Sequence, residues 1–214
     1  AIANLFVPDP RLAGMVNADL RVTGATATPN IDGEVRATGL RADAPYAAGL
    51  PPANLTVNAK MRGQAIEAVA NLVAGSAARM TLEARLPQGA TGNAPVQASL
   101  RGNANLGTIT APLLAAGANR ATGQLTIDAR AAGTVSAPQL SGGATLSNGS
   151  FRNLEYGAAL RNIAARITAQ GDRIVLESLT ASGTKGTLSA RGEARPFAPG
   201  QPLRIALTSQ GLQP

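Results

Sequence analysis

The sequence predicts a mainly β protein, an elongated and curled antiparallel sheet that forms an open, solenoid-like trough (a β-taco) with an apolar interior and little helix. Three observations predict it. Apolar and polar residues alternate along most of the chain, as from Leu125 to Ala131, and this alternation is typical of strands with one buried and one solvated face. Turn residues separate the alternating runs. Aromatic residues, which would anchor a compact core, make up only 2% of the chain.

The chain begins with residues 1–13, whose Pro8 and Pro10 suit an edge or loop, so this stretch is expected to be the tail of a preceding unit. The loop from Pro45 to Pro52 interrupts the alternation. In all, about 13 or 14 strands are expected from the spacing of the alternating runs and turns. The alternating runs lie at 16–22, 31–37, 55–59, 66–72, 80–86, 96–100, 125–131, 140–146, 165–167, 174–176, 188–190 and 203–207.

Three short sequences are predicted to be turns between strands. Asn148-Gly149 is the strongest short-range hairpin signal, Gly171-Asp172 is a second turn pair, and Arg62-Gly63-Gln64 is a third turn. One stretch departs from the strand period: Leu106 to Gly117 has apolar residues at helical spacing, and its Pro and Gly would limit a helix to about two turns. This helix is either a plug that leans into the groove or a connector that packs on the sheet, and we favour the connector.

The chain contains an internal repeat. A shift of 109 residues places Gly14 on Gly123, and it also superimposes an Asp, an Arg and several further glycines. Repeats of a unit that cannot bury its own apolar face imply an elongated stack. The sequence therefore predicts a first β-sheet repeat at 1–110, a connector at 111–122 and a second repeat at 123–214 that continues the first.

Composition excludes several functions. The chain has no His, Cys or Trp, so it cannot form a Ser-His-Asp triad or a His or Cys metal site, and we expect neither an enzyme nor a cofactor. Ser182 to Lys185 matches an S-x-x-K motif, but it lies in a Gly-rich turn and not at a helix start. The net charge of +7 comes from dispersed arginines without interleaved aromatics, which does not favour nucleic-acid binding.

Several weak motifs occur in a characteristic order. They include G-x-L-x-I-x-A-x-A-x-G-T-V-x-x-P-x-L-x-G from Gly123 to Gly142, then Leu160 to Ile163, and then Leu188 to Gly192. This order resembles the C-terminal region of the TamB family, the inner-membrane subunits of the translocation and assembly module, which belong to the AsmA-like group of bridge-like envelope proteins. The resemblance covers residues 96 to 214 best.

The resemblance implies a location in the periplasm of a Gram-negative bacterium, within an inner-membrane-anchored protein. It also implies roles in lipid transport, outer-membrane biogenesis and protein secretion. The implied partner is a TamA-like outer-membrane barrel, contacted through regions outside or near the end of this sequence. The chain starts without Met or a leader, so we expect it to be an internal piece of a longer protein, with its targeting signals elsewhere.

The predicted function is a hydrophobic groove that conducts or shields phospholipid acyl chains between the two membranes, or that aids outer-membrane protein assembly by pairing with nascent strands. The alternative is a structural β-helical stalk of a surface adhesin or autotransporter. The residues expected to line the groove share the apolar parity of the strands. They are Val16, Ala18, Leu20, Val22, Val35, Leu55, Val57, Ile66, Met80, Leu82, Val96, Leu100, Leu125, Ile127, Leu140, Leu146, Ile163, Ile167, Ile174, Leu176, Leu188, Ile205 and Leu207.

Overall fold

A computed structural model describes residues 11–25, 28–43, 49–114, 119–153, 155 and 157–213. These residues form one twelve-stranded sheet and one short helix. The elements are β1 (Arg11–Ala25), β2 (Thr28–Asp43), β3 (Ala53–Arg62), β4 (Ala65–Ala74), β5 (Ala78–Pro87), β6 (Pro95–Asn105), α1 (Leu106–Leu114), β7 (Asn119–Thr134), β8 (Pro138–Asn153), β9 (Ala159–Gly171), β10 (Arg173–Ser182), β11 (Lys185–Ala194) and β12 (Leu203–Gln213).

Each strand pairs antiparallel with the strands that precede and follow it in the chain. The sheet order is therefore β1 to β12, and β1 and β12 are edges that do not pair with each other. The molecule is an open, curled antiparallel sheet with little helix, which confirms the fold class predicted from the alternation. At a spacing of about 4.8 Å, twelve strands extend for roughly 53 Å.

The sheet has twelve strands and not the expected 13 or 14, and the strands are longer than the alternating runs. One predicted turn lies inside a strand. The prediction of a hairpin at Asn148-Gly149 was wrong: β8 continues through both residues, and its register with β9 shifts between Leu146 and Gly149. Asn148 has a positive φ of 51° there, so the pair forms a β-bulge, which also favours left-handed residues. The turns at Gly63 and Gly171 are present between β3 and β4 and between β9 and β10.

The twelve strands can be divided into two successive sets of six, which correspond to the two predicted copies of the repeat. Strands β1 to β6 have 15, 16, 10, 10, 10 and 11 residues, and β7 to β12 have 16, 16, 13, 10, 10 and 11. Gly14 and Gly123 have φ values of 144° and 147°, and each lies at a register shift with the next strand. The first copy ends at Asn105 and the second begins at Asn119, so the connection between them starts before the predicted 111–122.

The connection contains α1, as the helical spacing of its apolar residues indicated. Asn105 caps the helix, since its Oδ1 accepts a hydrogen bond from the backbone N–H of Thr108 at 3.2 Å. The hydroxyl of Thr110 donates to the carbonyl oxygen of Leu106 at 2.7 Å and lies 3.3 Å from that of Ala121. Through these contacts the helix packs mainly on β7.

The sheet has almost no buried core. Its accessible surface is 13,553 Å², whereas a compact protein of this mass exposes about 9,200 Å². The buried apolar residues are five alanines and Met61, and no polar side chain is buried among the described residues. Each strand is therefore stabilised chiefly by its two neighbours and not by a second layer.

Candidate functional site

The candidate site is the apolar face of the sheet. In an antiparallel sheet, residues that pair directly share a face, so the pairs can be followed from strand to strand. Two rows cross all twelve strands without a polar residue. The first row is Ala18, Val35, Val57, Ala70, Leu82, Leu100, Ala129, Gly142, Ala169, Ile174, Ala194 and Leu203; the second is Val16, Ala37, Leu55, Leu72, Met80, Gly102, Ile127, Ala144, Ile167, Leu176, Gly192 and Ile205.

All residues predicted to line a groove lie on this face. Thirteen of them are in the two rows. The other ten flank the rows with the same parity: Leu20, Val22, Ile66, Val96, Leu125, Leu140, Leu146, Ile163, Leu188 and Leu207. The predicted set omitted the small residues, such as Gly102 and Ala144, that complete the rows between larger ones, although their parity alone would have included them. That these residues contact lipid stays a prediction.

The apolar face is not covered by another layer of described residues. Extensive contact is confined to strands that are neighbours in the chain and to α1. The large side chains are most exposed near the edges, where Leu20 is 72% and Leu207 66% exposed, while Leu82 in the middle is 43% exposed. The apolar face is therefore an accessible surface that runs the length of the sheet.

The helix α1 covers part of this face at one of its long borders. A cavity of about 300 Å³ lies between Ile109 of the helix and the strand ends that carry Leu40, Ala74 and Ala78, with Pro51 at its side. Leu40 pairs with Ala53 and Ala74 pairs with Ala78, on the apolar side of the sheet. The helix thus packs on β7 as a connector and also covers part of the apolar surface, which combines the two interpretations of its sequence.

The opposite face is polar and carries charges of alternating sign. One row runs through Arg21, Asp32, Lys60, Glu67 and Arg85 on five consecutive strands. Glu67 and Arg85 lie 3.5 Å apart, and Nη2 of Arg62 donates to both carboxylate oxygens of Asp32, at 2.6 and 2.8 Å. These pairs are largely exposed, so each stabilises the sheet by at most about 1 kcal/mol.

A shallow depression of about 550 Å³ also lies on the polar face, across β4 to β8, and its charged lining includes Glu67, Glu83, Arg85, Arg101 and Arg130. These side chains join neighbouring strands: Ser99 donates to Glu83 at 3.2 Å, and Arg101 lies 3.5 Å from Asp128. The depression is therefore a solvated, ion-paired surface, and the candidate apolar site is the other side of the same strands.

The described residues bring together no catalytic or metal-binding constellation. They contain no cluster of three or more Asp or Glu residues that could hold a metal ion. Ser182 ends β10 and Lys185 begins β11, so the S-x-x-K sequence lies in a turn. Over the part of the chain that the structure describes, no helix is long and apolar enough to cross a membrane.

Comparisons of this chain with protein-family models, with curated proteins and with solved structures found no match. The resemblance to the TamB family consequently rests on the sequence motifs alone. The two faces of the sheet are the basis for inferring what the protein binds.

Proposed function

We propose that the apolar face binds phospholipid acyl chains and conducts or shields them along the sheet. The observation that carries this proposal is the pair of uninterrupted apolar rows, which cross twelve strands and contain only Ala, Gly, Val, Leu, Ile and Met. Soluble proteins rarely expose contiguous apolar patches larger than a few hundred Å². A face of this length therefore favours an apolar occupant.

A hydrocarbon chain suits this surface energetically. Each CH₂ group buried from water gains about 0.8 kcal/mol, so a chain of sixteen carbons would gain up to about 13 kcal/mol. The rows have no side chain that could donate or accept a hydrogen bond, and a hydrocarbon makes no directional bonds. An acyl chain could therefore move along the rows without a fixed stopping point, as a conduit requires.

The resemblance to the TamB family implies that this activity takes place in the periplasm, within an inner-membrane-anchored protein that works with a TamA-like outer-membrane barrel. A second route within the same proposal is strand addition, in which a nascent outer-membrane strand pairs with a free edge. The edge strand β12 favours it, because all but one of its residues are exposed and it contains no Pro or Lys, which commonly protect edges.

The alternative, a β-helical stalk, fits the architecture less well. A β-helix stacks parallel rungs, whereas every strand described here pairs antiparallel with its chain neighbours. A stalk also needs no continuous exposed apolar face. The acyl-chain proposal is therefore favoured over a purely structural role.

Native mass spectrometry of the chain after incubation with phospholipid vesicles would test the proposal. We expect bound phospholipid on the unmodified chain. Ile127→Arg places a charge in the second apolar row, between Gly102 and Ala144, and should remove most of that phospholipid while β-content by circular dichroism is retained.

Thr126→Arg is the matched control, because it adds the same charge one residue away on the polar face of the same strand. It should bind phospholipid like the unmodified chain. Equal occupancy in the two variants would overturn the proposal, as would an unmodified chain that carries no phospholipid.

A further inference from the structure

The two long borders of the sheet differ in how their charges are paired. One border, here the helix-side lip, contains α1 and the strand ends at Asp43, Ala74, Asn105, Asn153 and Ser182, with the strand starts that follow them. The other, the turn-side lip, contains the ends of β3, β5, β7, β9 and β11 and the starts of the strands that follow. Each lip runs along the whole length of the apolar face.

On the turn-side lip, four of the seven cations within three residues of a strand end are ion-paired with other described residues: Arg62, Arg85, Arg173 and Arg195 are, and Lys60, Arg191 and Arg204 are not. Arg85 pairs with Glu67 at 3.5 Å, and Glu193 lies 3.6 Å from Arg173 and 3.1 Å from Arg195. The helix-side lip instead has six exposed cations within three residues of a strand end, and none of them forms an ion pair with another described residue. They are Arg41, Arg79, Arg120, Arg152, Arg161 and Lys185.

Three of these cations are close together. Arg120 of β7 is directly opposite Arg152 of β8, and Arg152 is opposite Ala159, two residues before Arg161. All three share the polar face, since Phe151 and Leu160 pair on the apolar one. Directly opposite side chains have Cβ atoms about 5 Å apart, and diagonal ones lie within about 8 Å. Like charges at this distance destabilise the sheet unless an anion lies between them.

Hydroxyl groups surround the same three arginines. The Thr122 and Ser150 hydroxyls, which lie two residues from Arg120 and Arg152 on the same face, are hydrogen-bonded at 2.7 Å. Ser182 of β10 pairs with Arg161. Guanidinium groups beside hydroxyls are the donors that bind phosphate oxygens in proteins. Glu155, the carboxylate in the next connection, is exposed and forms no ion pair with these or other described residues.

The first copy of the repeat has opposite charges at the equivalent positions. The shift of 109 residues that aligns the copies places Arg11 on Arg120 and Asp43 on Arg152. In the backbone register, Arg11 of β1 is directly opposite Asp43 of β2, and Arg120 of β7 is directly opposite Arg152 of β8. The backbone pairing is therefore the same, and only the second copy replaces the acidic partner with a second cation.

We propose that Arg120, Arg152 and Arg161 bind the phosphate headgroups of anionic phospholipids. The inference rests on the proposed function, since it places headgroups at the lip that borders a face occupied by their acyl chains. Arg120 and Arg152 are each one residue from a strand end and Arg161 is two residues from one, and an arginine side chain is long enough to bring its guanidinium to the border between the polar and apolar faces. The site thus selects the charge of the lipid, while the apolar rows accept its chains without selection.

Vesicle co-sedimentation of the full chain tests this inference. The probes are vesicles of phosphatidylcholine alone and of phosphatidylcholine mixed equally with phosphatidylglycerol. We expect binding to the mixed vesicles that weakens as salt is raised. The triple variant Arg120→Gln, Arg152→Gln, Arg161→Gln should bind them roughly 100-fold more weakly, since each cation near an anionic surface contributes about a factor of five.

The triple variant Arg62→Gln, Arg85→Gln, Arg173→Gln is the matched control, because it removes the same charge from the ion-paired lip. It should lose less than about threefold in vesicle binding, since its cations are already neutralised. Equal losses in the two variants would show a response to net charge alone and would overturn the inference. Unchanged binding by the helix-side variant would also overturn it.

Two further measurements separate the possible ligands and functions. Inorganic phosphate, added at constant ionic strength, should not displace the mixed vesicles; complete displacement would identify a site for free phosphate and overturn the headgroup assignment.

The second measurement is phospholipid occupancy by native mass spectrometry. The triple variant of Arg120, Arg152 and Arg161 should still bind phosphatidylcholine. If the variants bind vesicles as expected but neither they nor the unmodified chain shows bound phospholipid by native mass spectrometry, the proposed acyl-chain conduit is wrong. The headgroup site at the helix-side lip is then still supported.

Discussion

The two six-stranded copies have the same backbone and different polar faces. Their strand lengths agree closely, and Gly14 and Gly123 have nearly the same φ. Their charges diverge: residues 1–105 contain nine basic and seven acidic residues, and residues 106–214 contain ten and five. The apolar rows run through both copies without a break, so apolar parity is retained where charge pairing is not. The difference teaches that the sheet requires its apolar face to be continuous, while its polar face can acquire local functions.

The largest expected difference between the copies concerns two equivalent glycines. Gly142 has a φ of 90°, and a Cβ there would collide with the carbonyl oxygen of Asp128. A Cβ on Gly33 would meet only the Leu20 side chain at 3.6 Å and the Ala59 carbonyl oxygen at 3.9 Å. Gly142→Ala should lower the free energy of unfolding by roughly 1–3 kcal/mol, as measured by urea denaturation.

Gly33→Ala serves as the control for Gly142→Ala. It should change the free energy of unfolding by less than about 1 kcal/mol, because its Cβ fits and its φ is not in the left-handed region. Equal destabilisation by the two substitutions would mean that the backbones of the copies are constrained alike at these positions.

A smaller effect is expected at α1, which joins the copies and has no counterpart within the described part of the second copy. Asn105→Ala removes the side chain that accepts a hydrogen bond from the Thr108 N–H, and it should cost about 0.5–2 kcal/mol of stability. Asn105→Asp retains an acceptor and should stay within a few tenths of a kcal/mol of the unmodified chain. A loss as large with Asp as with Ala would contradict the capping role.

The smallest expected effect comes from exchanging a charge that distinguishes the copies. Arg152→Asp places an acidic residue directly opposite Arg120 and should stabilise the sheet by about 0.2–1 kcal/mol. The gain in unfolding free energy should shrink as salt is raised, because exposed charges are screened. A loss of stability in this variant would contradict the repulsion between Arg120 and Arg152.

Much of the fold could be predicted from the sequence, because alternation is a direct consequence of strand geometry. The parity of residues such as Leu82 and Ile127 fixes their common face once strands pair in order. The bulge at Asn148 could not be distinguished from a hairpin, since both favour a left-handed residue followed by Gly. The net charge of +7 gave no indication that the cations of the helix-side lip lack ion-pair partners among the described residues. Ion pairing depends on which residues face each other across strands.

Because each strand contacts chiefly its chain neighbours, the described part of the molecule has no feature that sets how many strands it holds. Insertion of one more six-stranded unit would add about 29 Å without disturbing any distant packing. A globular domain cannot grow in this way, since its core would have to be rebuilt. Gene duplication could therefore have changed the length of such a sheet in fixed increments.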